Sequence, residues 1–360
     1  MTALLPTADL DETLGALFRH DEGVQYAASD GRGGRAAICR GLARRHDLSR
    51  VSPATTFHCF STTKPVTAIA ILQLAEAGQL SLDDPLVRHL PELPYGEGAT
   101  IRHALSHQAG IPSPFPLSWV HADDEHTSFD ALAFYQSAIA AHPRASAPGR
   151  RSRYSNLGFL VLGRIIEVCS GLRYEQYVEE RILDALLPAP RGEAYLGFAI
   201  PRDRHAVGYT RLASWVGLFT ALMPDPPKLR SREGSYLRYR PFHLDGAAYG
   251  GLKGNALGWA AVLEAIATRD PRLLESASFD ALFSPQPLQD GKPSGHALSF
   301  MTGRLGGVGY VCHAGGGPGY CAEVRVYPDL GAWSVLLTNT TVVHDARMLD
   351  RVDARWVSRR

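Results

Sequence analysis

Residues 58–65 read His58-Cys-Phe-Ser-Thr-Thr-Lys-Pro65 and set a hydroxyl and an amine three residues apart, at Ser61 and Lys64. Residues three apart on a helix share a face, so a helix that starts near Ser61 brings the Lys64 amine beside the Ser61 hydroxyl. Pro65 fits a helix only in its first turn, which predicts that the helix begins close to Ser61. A serine becomes a nucleophile when a desolvated, uncharged amine can take its proton.

The segments on either side of this helix predict an α+β fold. A short amphipathic helix over Asp9–His20 precedes two strands, residues 23–28 and 34–41, around the turn Asp30-Gly-Arg-Gly-Gly34. After a helix over residues 257–268, four strands are predicted in series, at 296–303, 308–313, 320–327 and 333–339. Strands without intervening helices favour an antiparallel sheet, and the closing helix, 346–357, is expected to pack on it.

The stretch between residues 85 and 245 has a different character, with helical segments separated by proline-rich and charged loops. We therefore predict a discontinuous sheet domain, residues 1–84 and 246–360, and a mainly helical insertion domain, residues 85–245. Two long loops of the insertion carry aromatic side chains, from Phe115 to Trp119 and from Trp215 to Tyr236. Long loops in compact chains are often lids or binding loops, so both are expected to shape a pocket.

Three short motifs follow one another along the chain: Ser61-x-x-Lys64, Tyr154-Ser-Asn156 and His313-Ala-Gly315. Together with Leu105-Ser-His-Gln-Ala-Gly110 and Tyr249-Gly-Gly-Leu252, they resemble signatures of the serine β-lactamase-like superfamily. The likeness is to the Tyr-x-Asn branch, which holds class C β-lactamases, serine esterases and D-amino-peptidases. It implies an antiparallel sheet flanked by helices, built from both chain ends, with a mainly helical insertion.

The resemblance also implies a role for each motif residue. Ser61 is similar to the family's acylated serine, and Lys64 to its partner amine, whose pKa falls through desolvation. Tyr154 is similar to the tyrosine that helps the lysine move protons between nucleophile, leaving group and water. Asn156 is expected to hydrogen-bond the substrate or to hold Lys64 in place.

The glycines after His313 are expected to complete an oxyanion hole. By resemblance, a backbone N–H at Gly315 or Gly316 acts there with that of Ser61, and losing one such donor typically costs about 3 kcal/mol in the barrier. His313 departs from the β-lactamases, which keep a lysine at this position. A histidine is mostly neutral at pH 7, so the grip on a substrate carboxylate is expected to be weaker. Some family carboxypeptidases also carry histidine here, so peptide substrates stay open.

The composition gives no sign of a nucleic-acid or membrane-surface partner. The 360 residues are 45% hydrophobic and 20% charged, with a formal net charge of +1, an ordinary globular profile without a global electrostatic footprint. No secretory signal pattern and no apolar run of spanning length is seen, so a cytoplasmic protein is expected. The five cysteines lack Cys-x-x-Cys pairing, which fits reduced thiols.

Two other clusters have alternative explanations. His103 and His107 stand four apart on a predicted helix, a spacing used by metal ligands, but neither a following glutamate nor a third ligand is evident. We therefore expect no metal and no cofactor, and a structural hydrogen bond for His107. Clustered arginines would either attract an anionic substrate or simply be solvated; they are Arg150, Arg151, Arg153, Arg230, Arg232, Arg238 and Arg240.

These observations predict a serine hydrolase that forms an acyl-enzyme on Ser61 and acts as an esterase on small acyl esters or amides. Its partner would be a small acyl substrate, and the oligomeric state is left open. The first alternative is an acyltransferase of the same family, which resolves the same acyl-enzyme with an alcohol or amine. The others are a β-lactamase, a D-amino-peptidase or carboxypeptidase, and a catalytically silent binding protein. The silent protein would have lost Ser61, Lys64 or Tyr154, and all three are present.

Overall fold

The computed structural model describes residues 5–114, 119–142, 146–187, 192–222, 228–341 and 347–357. Its strands are β1 (Val24–Ser29), β2 (Arg35–Arg40), β3 (Leu42–Arg44), β4 (Ser49–Arg50), β5 (Phe57–His58), β6 (Val120–Ala122), β7 (Leu196–Gly197), β8 (Tyr209–Arg211), β9 (Arg230–Glu233), β10 (Tyr236–Tyr239), β11 (Phe242–Leu244), β12 (Lys253–Gly254), β13 (Met301–Leu305), β14 (Val308–Gly317), β15 (Tyr320–Tyr327) and β16 (Ala332–Thr338).

Its α-helices are α1 (Thr7–Leu17), α2 (Thr63–Glu76), α3 (Leu86–His89), α4 (Ile101–Leu105), α5 (Ala131–Ala141), α6 (Asn156–Ser170), α7 (Tyr174–Val178), α8 (Asp184–Leu186), α9 (Trp215–Leu222), α10 (Ala247–Gly250), α11 (Ala256–Ala267), α12 (Ser276–Phe283) and α13 (Met348–Val357). Short 3₁₀ segments lie at Phe60–Thr62, Asp123–Ser128 and Pro328–Leu330, and a π-helical segment at Glu179–Leu183.

Six strands from the two chain ends form one antiparallel sheet, in the order β13-β14-β15-β16-β1-β2. β1 lies beside β16 with Val24 opposite Thr338, so the first strand pairs with the last. The expected α+β fold, an antiparallel sheet flanked by helices and built from both ends of the chain, is confirmed.

Both faces of the sheet are covered by apolar clusters. Successive side chains of a strand point to opposite faces. In β1, Tyr26 and Ala28 belong to the cluster formed with α1 and α13, whereas Ala27 belongs to the larger cluster with α2, α6 and α11. The same alternation occurs in β16, where Leu336 joins the first cluster and Leu337 the second. The helix that starts near Ser61 is therefore part of the main core.

A buried ionic network attaches α13 to the sheet. Arg325 and Glu323 on β15 are fully buried and lie 2.7 Å apart. Asp353 of α13 accepts hydrogen bonds from Tyr327 Oη at 2.8 Å and from Ser334 Oγ at 2.6 Å. Buried charges are tolerated when they are paired and hydrogen-bonded, so these contacts fix the position of the closing helix.

The expected strand over residues 296–303 is wrong in its first half. His296 forms an isolated antiparallel bridge with Met301, and Ala297 N donates a 2.8 Å hydrogen bond to Phe300 O across a tight turn. Ser299 in this turn has a φ of 68°, in the left-handed region. A strand cannot continue through that conformation, so β13 begins only at Met301.

The middle of the chain contains more strand than expected. Residues 85–245 hold α3–α9 together with β6–β11, and the expected loop from Trp215 to Tyr236 contains α9 and β9, which belongs to the three-stranded sheet β8-β10-β9. The division into two domains at residues 84 and 246 stays a prediction. Within the described ranges, no helix has the length and apolar character needed to cross a membrane.

Candidate active site

Ser61 lies in the 3₁₀ segment that leads directly into α2. Phe60, just before it, has a φ of 47°, a conformation that non-glycine residues seldom adopt and that is often found at functional sites. Thr63 Oγ1 donates a 2.7 Å hydrogen bond to the Phe60 carbonyl oxygen and holds this turn. Pro65 stands in the first turn of α2, so the predicted helix start is confirmed.

Lys64 lies beneath Ser61 and is completely buried. Its Nζ atom is 3.0 Å from Ser61 Oγ, 2.8 Å from Asn156 Oδ1 and 2.7 Å from the carbonyl oxygen of Tyr249. Desolvation lowers the pKa of Lys64 well below its usual range. No carboxylate among the described residues is hydrogen-bonded to this amine to oppose that effect.

Tyr154 lies on the other side of the serine. Its hydroxyl donates a 2.6 Å hydrogen bond to Ser61 Oγ. Desolvation raises the pKa of Tyr154, and the hydrogen bond with Ser61 opposes this rise. The residue as a whole is 40% exposed, so part of it is accessible from solvent. Ser155 caps α6 by accepting a 2.9 Å hydrogen bond from Gly158 N, which fixes Asn156 as the first residue of that helix.

His313 is buried on β14, next to Tyr154. Its Nδ1 atom lies 2.5 Å from the carbonyl oxygen of Ser299. A carbonyl oxygen only accepts, so Nδ1 carries the proton, and the unprotonated Nε2 faces Tyr154 Oη at 3.5 Å. Desolvation, followed by the proximity of Lys64, lowers the pKa of His313 to about 3. The imidazole is therefore neutral at physiological pH.

The end of β14 passes directly over the nucleophile. β13 pairs with β14 only as far as Cys312, so the segment after it pairs with β15 alone. A Cβ atom on Gly315 would lie 2.9 Å from the Ser61 backbone nitrogen, which shows how closely the two backbones approach. Gly316 is exposed and borders the cavity in front of Ser61.

That cavity has a volume of about 320 Å³ and is open to solvent on one side. The described residues that line it carry no charged side chain; they are Phe60, Ser61, Val120, Asn156, Thr210, Val216, Thr220, Tyr239, Leu244, Tyr249, Gly250, Gly316, Gly317, Pro318 and Thr341. Most of the wall is apolar, and its polar side chains are those of serine, threonine and tyrosine residues and of Asn156. Lys64 lies behind Ser61 rather than on this wall.

A protein-family model described as Beta-lactamase matches residues 16–355. The chain belongs to the Beta-lactamase family. The resemblance seen in the motifs is thereby confirmed, and the family spans both ends of the discontinuous sheet as well as the middle of the chain.

Relatives within and around the Beta-lactamase family differ in the activities that their names state. The chain is 28% identical over 310 residues to penicillin-binding protein 4* of Bacillus subtilis (strain 168), covering 83% of this chain and 64% of that protein. It is 27% identical over 322 residues to an unguisins hydrolase of Aspergillus campestris (strain IBT 28561), covering 84% and 55%. The chain thus spans less than two thirds of the length of either relative.

A solved structure agrees with the fold of this Beta-lactamase family member. The D-amino acid amidase of Ochrobactrum anthropi SV3, complexed with D-phenylalanine, superposes with a TM-score of 0.78 and 21% identity. The match covers 98% of this chain and all of that one. At this identity the likeness shows the fold alone.

The structure brings together all seven site residues expected from the sequence: Ser61, Lys64, Tyr154, Asn156, His313, Gly315 and Gly316. Their chemical roles stay predictions. Sequence reasoning missed the two backbone carbonyls that contact them, those of Tyr249 and Ser299. The Tyr249-Gly-Gly-Leu252 motif marked the first, although nothing in it pointed to a carbonyl.

The expected helix through His103 and His107 is wrong. α4 ends at Leu105, and His107 has a φ of 59° beyond its end. His103 caps this helix together with Thr100, whereas His107 Nδ1 accepts a 3.2 Å hydrogen bond from Ser155 N. His107 therefore makes the structural hydrogen bond that was expected. In the described part of the chain, no group of three or more potential ligands is arranged to hold a metal ion.

Both aromatic loops were expected to shape the pocket, and the structure describes them to different extents. Residues 115–118 lie outside the described residues, and Trp119 is buried without bordering the cavity. From the second loop, Val216 and Thr220 do line the cavity, as does Tyr239 just beyond its end, whereas Trp215 is 86% exposed.

Proposed function

We propose that the protein is a serine hydrolase that forms an acyl-enzyme on Ser61 and acts as an esterase on small, uncharged acyl esters or amides. The observation that carries this proposal is the setting of the Lys64 amine. Two of its three neighbours, Asn156 Oδ1 and the Tyr249 carbonyl oxygen, can only accept hydrogen bonds. A neutral amine has two N–H bonds and one lone pair. With both N–H bonds used, the lone pair is left for the Ser61 hydroxyl, 3.0 Å away.

Acylation then proceeds with balanced proton transfers. Ser61 Oγ attacks the substrate carbonyl carbon while its proton passes to Lys64 Nζ. Negative charge develops on the substrate oxygen, and we assign the backbone N–H groups of Ser61 and Gly316 as its donors. The bond to the leaving group breaks, and the leaving oxygen or nitrogen receives the proton from Lys64 by way of the Tyr154 hydroxyl. Water repeats the sequence on the acyl-enzyme and releases the acid.

The preference for uncharged substrates is supported by the electrostatics of the cavity. The described wall carries no charged side chain, and the pKa of His313 near 3 leaves no cation at the position where β-lactamases keep a lysine. A substrate carboxylate would lose hydration there without gaining an ionic partner. Esters and amides without a carboxylate next to the scissile bond avoid that cost, so they are favoured over β-lactams and carboxypeptidase substrates.

Covalent labelling tests the nucleophile. Intact-mass measurement after incubation with a fluorophosphonate should show one adduct in the wild type and none in Ser61→Ala. Lys64→Met, which keeps an unbranched side chain as far as the ε position but lacks the amine, should slow labelling by at least a hundredfold. Circular dichroism spectra should show that both variants fold. A folded wild type that acquires no adduct would refute the hydrolase assignment.

Substrate preference needs a separate comparison. A series of nitrophenyl esters of increasing chain length should give higher kcat/KM values than a chromogenic cephalosporin. A dominant cephalosporin rate would refute the esterase assignment while leaving the nucleophile intact. Adding a primary alcohol should not divert most of the acyl group to a new ester, because the acyltransferase alternative predicts that product.

A further inference from the structure

The helix α9 presents apolar side chains to solvent and lines the cavity with its other side. Trp215, Leu218 and Leu222 are 86%, 54% and 79% exposed. At about 100° per residue, these three lie within roughly 60° of one another around the helix axis. Val216 and Thr220 project from the opposite side and border the cavity in front of Ser61. One eight-residue helix therefore separates the cavity from an exposed apolar face.

The inner side of α9 is packed against the protein. Gly217 lies so close to the Arg211 carbonyl that a Cβ atom there would overlap it. Arg230 donates a hydrogen bond to the Thr220 carbonyl oxygen, which ties the second half of the helix to β9. These contacts hold α9 in place. Trp215, Leu218 and Leu222 are therefore exposed on a helix that is itself packed against the protein.

A basic segment lies beside α9. Lys228, Arg230 and Arg232 follow α9 within ten residues, and the Arg230 hydrogen bond places β9 directly beside the helix. In the sequence, residues 223–238 carry Asp225 and Glu233 against Lys228, Arg230, Arg232 and Arg238, and Arg238 lies 3.6 Å from Glu233. The local charge is therefore positive, although the chain as a whole carries only +1.

We propose that the outer face of α9 docks the enzyme on a lipid surface that carries anionic headgroups, and that ester substrates pass from this surface into the cavity. A helix with exposed Trp and Leu side chains inserts them at the boundary between headgroups and acyl chains, and neighbouring cations bind anionic headgroups. The uncharged cavity lies directly behind the helix, so a docked enzyme holds the cavity about one helix diameter, roughly 10 Å, from the lipid surface. This docking surface consists of Trp215, Leu218 and Leu222 on the helix, together with the exposed Lys228 and Arg232 of the segment that follows it.

The lipid surface fits these features better than a second copy of the chain does. Three side chains form a small patch compared with the roughly 800 Å² that each partner buries in a standard interface. The net charge of +1 led us to expect no membrane partner from the sequence, and the proposal departs from that expectation because the positive charge is local. Docking itself is independent of the proposed esterase activity, whereas the choice of substrate rests on it.

Vesicle flotation with the full chain tests docking. Wild-type protein should float with vesicles of mixed phosphatidylglycerol and phosphatidylcholine, and less with phosphatidylcholine alone. The double variant Trp215→Ser, Leu218→Ser should bind at least tenfold more weakly. Val168→Ser is the matched control, because Val168 is 47% exposed but lies near the far end of α6, about 18 Å along the helix from Asn156. It should bind like the wild type.

Three flotation results would overturn the proposal: no binding by a folded wild type, equal binding to both kinds of vesicle, or equal loss in the control. Light scattering tests whether a second copy of the chain binds this face instead. A wild type that is dimeric and a double variant that is monomeric, without vesicle binding by either, would assign the face to a second copy instead.

Catalysis supplies an independent measurement. Two hydrolysis rates are compared: one on a long-chain nitrophenyl ester in anionic vesicles and one on soluble nitrophenyl butyrate. We expect the ratio of the first to the second to fall at least tenfold in the double variant. The soluble rate alone should change by less than threefold. An unchanged ratio would overturn delivery from the surface. A wild type that hydrolyses neither ester but floats with anionic vesicles would refute the esterase assignment and leave docking supported.

Discussion

Gly315→Ala is expected to disable the site without any change to a reacting side chain. The added Cβ would lie 2.9 Å from the Ser61 backbone nitrogen and closer still to the Cys59 carbonyl oxygen. Carbon atoms rarely approach such backbone atoms within about 3.4 Å, so either β14 or the turn at Ser61 must move by roughly 0.5–1 Å. Misplacement of reacting groups by about 1 Å can cost a hundredfold in rate. We therefore expect kcat/KM on nitrophenyl butyrate to fall about 10- to 100-fold.

Gly309→Ala is the matched control, because it lies on the same strand and its Cβ would meet no atom within 4 Å. Its kcat/KM should stay within twofold of the wild type. Thermal unfolding should show a loss of about 1–3 kcal/mol for Gly315→Ala, as is usual for overpacking, with the fold retained. Full activity in Gly315→Ala would refute the close approach of β14 to Ser61 and, with it, the assigned oxyanion hole.

Lys64, Tyr154, His313 and the buried His205, whose Nδ1 lies 2.9 Å from Thr56 Oγ1, give three further predictions. Because desolvation lowers the pKa of Lys64, kcat/KM should rise with pH to a plateau reached well below pH 10; a midpoint near 10, where an ordinary lysine deprotonates, would contradict a buried neutral amine. Tyr154→Phe removes the 2.6 Å hydrogen bond to Ser61 and should lower kcat by about 10²- to 10⁴-fold with little change in Tm, and a near wild-type kcat would remove its assigned role. His205 and His313 have pKa values of about 3 in the folded protein, against about 6.5 when unfolded, so the stability present above pH 6.5 is lost as the pH falls toward 3. Each histidine should lower the free energy of unfolding by about 2 kcal/mol by pH 5. An equal free energy of unfolding at pH 7.5 and pH 5, measured in urea, would contradict the burial of the two rings in their neutral form.

The nucleophile and its helix were predictable because the relevant interactions are local. The three-residue spacing of Ser61 and Lys64 and the restriction that Pro65 places on a helix act within one turn. The strands of the sheet were predictable for a similar reason, since the alternation of apolar and polar residues and the turn residues can be read within each segment. The strand predicted over 296–303 was wrong in its first half because nothing local indicates the turn at Ser299. The carbonyl oxygen of Ser299 contacts His313 on β14.

The burial of charged side chains was another feature that the sequence did not predict. Glu323 and Arg325 occur in a central strand, where alternation alone would place two charged residues on a solvent-facing side. They are buried instead because Asp353 and Tyr327 provide partners under α13. The exposed Trp215 is the converse case, since an aromatic residue in a long loop was expected to shape the pocket, yet its neighbour Val216 does so.

The amino-acid sequence by itself determined the family, the α+β class and which side chains gather around Ser61, because these depend on residue identity and short spacing. Only the tertiary structure decided the state of those side chains. Lys64 is expected to be neutral because packing desolvates it beside the Tyr249 carbonyl, 185 residues away, and desolvation likewise lowers the pKa of His313, whose Nδ1 proton is fixed by the Ser299 carbonyl. Every residue has a carbonyl group, so no sequence pattern can mark the two that matter; their positions follow from how the distant segments pack.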